Sequence, residues 1–317
     1  MPIMMQAFEA MKKQIVTLAL IFTFIIMAVS PSFSLTSSEP SSTDWPMFKN
    51  GIQRTGASTS TAPSSANPIW VFNTSAEEVH NSLAADDGVI FAVASNGNVY
   101  AINSLTGQQV WMQILSNSEN SVWSSPAIGA GRLYVGARNH YLYCLNESTG
   151  EILWNFLSNN EIDCSPVVTP NKVIFNTVNG TVYCLNSETG SSQWTYDYNI
   201  SSFASPAMID ENTVVISAEN LYSIDVVTGH LNWQRNSSYL DNSPAVANGK
   251  IFASSGYLLM CVDAATGSSI WNTSFAGSIG PLYRSSPAVA DGMVFVHSSA
   301  TTNNFFGVNA TTGAIVW

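Results

Sequence analysis

One eleven-residue pattern recurs six times and constrains this chain more than any other feature. Its first copy is Ala101-Ile-Asn-Ser-Leu-Thr-Gly-Gln-Gln-Val-Trp111, and it returns at residues 144–154, 184–194, 223–233, 261–271 and 307–317. Each copy reads small residue, any, Asn or Asp, two residues, Thr-Gly, three residues, Trp. Self-similarity at a fixed period is the mark of a repeat architecture and is settled before any other reading. The Asx side chain follows a strand-like run, where its oxygen can accept from backbone N–H groups a few residues on and start a bend. The Gly supplies a residue free to take positive φ. Together they make a hairpin with a three- to five-residue loop. The Trp falls on the return strand. A flat ring at one repeated site suits a contact between neighbouring units, where it can bury roughly 150–250 Å².

The Trp residues serve as a ruler. Trp70, Trp111, Trp154, Trp194, Trp233, Trp271 and Trp317 lie 38 to 46 residues apart. Within each interval the order is constant. A Ser-Pro-Ala-like strand opens the unit, beginning at Ser125, Ser165, Ser205, Ser243 and Ser286, with Ser82-Leu-Ala-Ala as a degenerate copy. A turn such as Asp87-Gly88 follows, then a β-branched and aromatic run, then a second turn and a Tyr-Ala-Ile- or Tyr-Cys-Leu-like strand. The Thr-Gly bend and the Trp strand close the unit. Four short strands in about 40 residues, each bounded by turn signals, predict an all-β protein. Beyond the N-terminal region no segment sustains a 3.6-residue apolar period. Four antiparallel strands per unit at this period predict the blades of a β-propeller. The WD-repeat propeller has the same period, but its Gly-His and Trp-Asp marks are missing.

The Ser-Pro-Ala strand, the Tyr-Ala-Ile-Asn strand and the Thr-Gly-x-x-x-Trp bend resemble the pyrroloquinoline-quinone-like (PQQ-like) propeller repeat. The opening segment from Asp44-Trp-Pro-Met-Phe to Thr-Gly56 is similar to the stretch that precedes many such propellers. The resemblance covers about 44–317. It implies that each Trp docks on the adjacent blade, and it assigns Trp111, Trp154, Trp194, Trp233, Trp271 and Trp317 to that structural role. It does not select an activity, because the family holds quinoprotein dehydrogenases, outer-membrane assembly scaffolds and surface proteins alike.

The N-terminus has the form of an export signal. Met11-Lys12-Lys13 precedes a mostly apolar run over residues 15–29, and small residues around Ser30 to Ser34 suit cleavage after about Ser34. Residues 1–34 are therefore expected to be a signal peptide with an upstream extension, or an anchor where cleavage fails. Residues 35–43 form a Ser/Thr-rich linker, and 44–317 the propeller. Seven Asn-x-Ser/Thr triplets, at Asn73, Asn146, Asn179, Asn199, Asn236, Asn272 and Asn309, accord with an exported glycoprotein. Ten Lys and Arg against 21 Asp and Glu give a net charge of −11. A basic footprint for nucleic acid is lacking. Membrane contact is expected only through the N-terminal segment.

Six units are complete in the sequence, and the strand around Trp70 is an orphan with no first three strands before it. The ring is expected to be open, or the chain to be a shortened version of a seven- or eight-bladed parent. A closed six-bladed ring with Trp70 on an extra outer strand is the rival.

Candidate chemistry is sparse. Cys144, Cys184 and Cys261 occupy the slot of Ala101, Ser223 and Gly307, and Cys164 that of Asn81, Ser124, Ala204, Asn242 and Ser285. All four read as small buried fillers. The resemblance implies that a quinone enzyme would carry an adjacent Cys-Cys pair, a Trp floor and a calcium site, and none of these is legible. His80, His140, His230 and His297 have no metal-ligand spacing, and no nucleophile motif is present. No catalytic, cofactor or metal residue is assigned. One position varies sharply while its frame holds. Three residues before each Ser-Pro proline, or its Leu83 equivalent, stand His80, Trp123, Asp163, Phe203, Asp241 and Arg284. This position should lie at the entry end of the innermost strand and ring one mouth of the central channel. The expectation is a secreted or cell-surface binding scaffold that meets a protein or glycan partner at this rim. A quinone-dependent dehydrogenase and a non-functional partial copy of a longer propeller are the alternatives.

Overall fold

The computed structural model describes residues 4–8, 44–58, 67–74, 78–115, 122–237, 240, 242–275, 282, 285–298 and 304–317. The signal and linker expected over residues 1–43 lie outside this set except for Met4–Phe8. Every regular element among the described residues is a strand, and no helix there is long and apolar enough to cross a membrane.

Five sheets have four antiparallel strands in simple meander order. In blade one these are Ala84–Asp86, Val89–Val93, Asn98–Asn103 and Gln109–Ile114. Blades two to five occupy 127–157, 167–197, 207–235 and 245–274 in the same way. The second and third strands are buried on both faces by neighbouring blades, so they read as unbroken apolar runs such as Ile90-Phe-Ala-Val. Fourth strands alternate between exposed and covered positions. The sixth sheet departs from the expected complete unit. It has three strands, Ala288–Ala290, Met293–His297 and Phe305–Asn309, and its closing segment makes only a bridge between Ile315 and Val308.

Two interlocking contacts repeat around the ring. On the outside, Trp70, Trp111, Trp154, Trp194, Trp233 and Trp271 lie over the Thr-Gly bends of the following blades, at Gly107, Gly150, Gly190, Gly229, Gly267 and Gly313. A Cβ added at Gly107 would stand 2.4 Å from the Trp70 ring, and one at Gly190 2.7 Å from Trp154. Each glycine is thus needed for close approach as well as for its positive φ. The bend is held as expected: Asn103 Oδ1 accepts from the N–H groups of Leu105 (3.0 Å) and Thr106 (2.9 Å) and from the Thr106 hydroxyl (3.1 Å). Most of the indoles also donate to the bend they cover, as in Trp111 Nε1 to Glu147 O at 2.9 Å and Trp194 Nε1 to Val226 O at 2.8 Å. Trp154 does not, because the Tyr134 hydroxyl takes the Ser187 carbonyl at 2.9 Å.

On the inside, the serine of each Ser-Pro strand is a staple. The N–H groups of Ser82, Ser125, Ser165, Ser205 and Ser243 donate to the hydroxyls of Ser125, Ser165, Ser205, Ser243 and Ser286 on the next blade, at 2.8–3.0 Å. A hydroxyl at this site satisfies a buried donor across the blade boundary, and leaving such a donor unpaired would cost about 1–3 kcal/mol.

The centre is filled rather than open. Segment 44–56 runs around the inner edges of the blades as an axle. Trp45 exchanges backbone bonds with Ala85 at 2.8 Å, and the carbonyls of Pro46, Ile52, Gln53 and Thr55 accept from Ile128, Met208, Val246 and Val289 at 2.7–2.8 Å. Arg54, fully buried, reaches the remaining blade. It donates to Ser165 O (2.9 Å), Pro166 O (2.8 Å), Pro206 O (3.0 Å) and Phe48 O (2.7 Å). Lys49 Nζ donates to Pro287 O. Burial pushes the Arg54 guanidinium down to about 9, so it stays charged at neutral pH. Inner strands are sheet edges with unpaired backbone groups, and the axle pairs them.

The ring is not closed. The orphan strand, here β2 (Pro68–Asn73), stands before blade one and pairs antiparallel with β1 (Met4–Phe8). Trp317 stands at the other side of the opening. Its ring covers Gly307 of its own blade and lies beside Phe295 and Phe305, with 54% of the residue exposed.

Candidate partner-binding rim

The variable positions sit where the chain enters each inner strand. Backbone bonds tie this entry to the hairpin joining the second and third strands. Ser95 N–H donates to Glu78 O at 2.7 Å, and Val178 N–H to Glu161 O at 2.9 Å. The hairpins therefore fix the height at which the rim side chains stand.

Three of the six positions are brought together. His80 and Trp123 have ring centroids 5.9 Å apart, and His80 Nε2 lies 2.8 Å from Glu78 Oε2. The Arg138 guanidinium rests 4.2 Å from the Trp123 ring centre. Its other edge is forked onto Asp163, with Nε to Oδ1 at 2.8 Å and Nη2 to Oδ2 at 2.6 Å. Glu161 approaches the same guanidinium at 3.9 Å. The bidentate bond to Asp163 raises the Arg138 pKa further above its usual value. Fork geometry and aromatic stacking are what arginine offers and lysine does not. The effect is a row across blades one to three in which Trp123 is held upright yet 43% exposed. Phe203 on blade four is 50% exposed. Asp241 and Arg284 lie outside the described residues.

Arg138, Glu78 and Glu161 were not among the residues singled out from the sequence. Arg138 sits on the hairpin of blade two where blades one and three carry Ser95 and Val178. An arginine replacing small or apolar residues, in a chain with only ten basic residues, was the available signal.

The opposite end of the blades carries a different chemistry. Glu147 and Asp86 share an environment that disfavours ionisation. Burial, then the charge of Asp86, pushes Glu147 up to about 8. The Asp86 pKa is raised by burial and by Asp44.

All four cysteines are free and buried. Burial pushes Cys144, Cys164 and Cys184 up to about 12 and Cys261 to about 11, so they are unreactive thiols at neutral pH. Among the described residues no three His, Cys, Asp or Glu side chains are placed to hold a metal. The residues present do not fit a bound quinone. There is no adjacent cysteine pair, and the axis is occupied by Phe48, Lys49 and Arg54. Six of the nine Trp rings lie over glycines of a following bend.

A family profile described as "Outer membrane protein assembly factor BamB" (PQQ_2) matches residues 52–128 and 97–317. The chain belongs to this PQQ-like family. Among solved structures, BamB from Moraxella catarrhalis is similar, with a TM-score of 0.65 at 16% identity over 79% of each chain. The quinohemoprotein alcohol dehydrogenase of Comamonas testosteroni gives a TM-score of 0.68 at 14% identity, covering 86% of this chain and 66% of that one. The computationally designed Ika8 protein gives 0.64 at 16%, over 82% and 78%. These likenesses establish the propeller fold. No curated protein sequence matches the chain. Both a BamB and a dehydrogenase share the PQQ-like architecture, so activity rests on the site and not on the fold.

Proposed function

We propose that this PQQ-like propeller is an exported binding scaffold that captures a protein partner on the rim that carries His80, Trp123, Asp163 and Phe203, with Asp241 and Arg284 at the equivalent positions of the sequence repeat. The observation that carries the reading is the Trp123–Arg138–Asp163 stack. An exposed indole, braced by a guanidinium that is itself forked to a buried carboxylate, is a pre-organised anchor, and Trp and Arg dominate binding energy at protein interfaces. The family description, an assembly factor of the outer membrane, favours a protein partner over a glycan. Export fits the signal-like residues 1–34 and the seven Asn-x-Ser/Thr triplets.

The test compares the full chain with a Trp123→Ala, Phe203→Ala, Arg284→Ala variant of equal thermal stability. Each is used to capture proteins from an envelope extract. A saturable partner retained by the first and lost by the second supports the rim. Equal recovery overturns it. For the enzyme alternative, titration with pyrroloquinoline quinone and Ca²⁺ is expected to give no bound-cofactor absorbance, and a stoichiometric gain would favour the dehydrogenase.

A further inference from the structure

The fourth strand is the outer edge of each four-stranded sheet, and one blade breaks the rule that its solvent-facing side chains follow. The residue after the repeat Trp is exposed in blades one to five. It is Asn155, Thr195, Gln234 and Asn272 in blades two to five, and Met112 in blade one. Val110 and Ile114 flank Met112, and all three are exposed. Ile114 stands where blade three carries Asp197. Blades with a complete neighbour on both sides expose this slot equally, so the exposure belongs to the outer strand itself. An apolar filling in a slot that is otherwise polar marks a surface that another chain covers.

The backbone of the same strand is free on its outer side. Antiparallel partners alternate between pairs that exchange both hydrogen bonds and pairs that exchange none. Leu115 N–H donates to Gly97 O at 2.9 Å. The register continues through Asn98 with Ile114, Val99 with Gln113, Tyr100 with Met112 and Ala101 with Trp111. Gln113 and Leu115 therefore bond inward to the third strand, and the N–H and C=O groups of Met112 and Ile114 point away from the blade. No charged residue or proline in Gln109–Ile114 blunts this edge.

Composition selects the occupant. About a two-fold axis through Gln113, Met112 of one copy lies opposite Ile114 of the other, both pairs join outward-facing backbone groups, and neutral Gln113 meets itself. Each copy carries a net charge of −11, so copies repel wherever acidic residues meet. The uncharged edge of blade one escapes this, whereas a like pairing of blade three would bring two Asp197 side chains to the joint, and like charges across strands destabilise. We propose that the outer edge of blade one is a self-association site, at which the strands Gln109–Ile114 of two copies pair antiparallel and merge two blades into one sheet. Backbone bonds supply the affinity, and the apolar side chains supply the register. The joint uses no rim residue, and its test does not depend on the rim's partner.

The full chain is followed by sedimentation velocity as its concentration rises to about 100 μM, and a monomer–dimer equilibrium is expected. Met112→Lys sets a charge into the joint from both copies and should weaken dimerisation by at least about tenfold. Met112→Pro removes an N–H that points away from the blade, so it should dissolve the dimer while leaving the melting temperature nearly unchanged. Thr195→Lys, in the same slot of blade three, should leave the dimer intact. The amides of Met112 and Ile114 should gain protection from hydrogen exchange as concentration rises. A chain that stays monomeric throughout overturns the proposal. So does a dimer that survives both Met112 variants, or one that Thr195→Lys weakens equally. Protection of those two amides that ignores concentration likewise refutes the strand pairing.

Discussion

Trp271 and Trp317 are the same letter of the same repeat, and they differ in almost everything that energy depends on. Trp271 is 9% exposed, covers Gly313 of the next blade and donates to Ala310 O at 3.1 Å. Trp317 is 54% exposed, covers only its own blade and meets no bend. The ring contact within the blade is alike in both, with Phe252 5.9 Å from Trp271 and Phe295 6.0 Å from Trp317. The difference therefore measures what a neighbouring blade adds. A repeat fixes which residue is available for docking, but docking energy belongs to the pair of units.

This comparison can be broken at several points. The largest effect is expected at a docked glycine. Gly190→Val adds a β-branched side chain at φ 71° and drives it into the Trp154 ring, and it should cost more than about 4 kcal/mol in denaturant unfolding. Gly131→Ala, at φ 72° with no atom within 4 Å, should cost only about 1 kcal/mol. Equal losses would show that backbone conformation rather than blade contact makes the bend glycine necessary. Next, Trp271→Ala should destabilise by about 3–5 kcal/mol, and Trp317→Ala by under about 1 kcal/mol. If the two are equal, the opening is filled in solution.

Smaller effects sharpen the inner side of the same contrast. Ser165→Ala removes the hydroxyl that satisfies Ser125 N–H and should cost about 1–2 kcal/mol. Ser82→Ala, on the blade bordering the opening, should cost less than half of that. The smallest expected effect is in pH dependence. Glu147 is held protonated to about pH 8 in the fold against about 4.5 for an unperturbed glutamate. The folded state thus binds more protons than the unfolded chain across this window, and stability falls as pH rises through it. Glu147→Gln should flatten the slope of melting temperature between pH 5 and 8, and an unchanged slope would assign it to other groups.

Much of the fold was legible because strand, bend and docking residue all recur with the period. The Asx-Thr-Gly bend and the buried cysteines are local properties that a sequence states directly. The sequence showed that Ser precedes Pro on five of the six inner strands but not why, since the N–H that each hydroxyl accepts lies about 40 residues away on another blade. The bend glycine was legible as a positive-φ residue. Its second role, clearing space for a ring from the preceding blade, appears only when the blades stack. The rim position was visible as a variable slot in a constant frame, whereas Arg138, which braces it, comes from a different hairpin.

What the sequence alone determined is the unit: four strands, two bends, one Trp and one Ser, because these follow from φ preferences, alternation and turn chemistry within 40 residues. Tertiary structure decided how the units meet. It placed segment 44–56 on the axis, where unpaired inner edges need backbone partners. It also set each Trp of one blade over the bend glycine of the next, a pairing between residues about 40 apart that only the stacking of blades brings together.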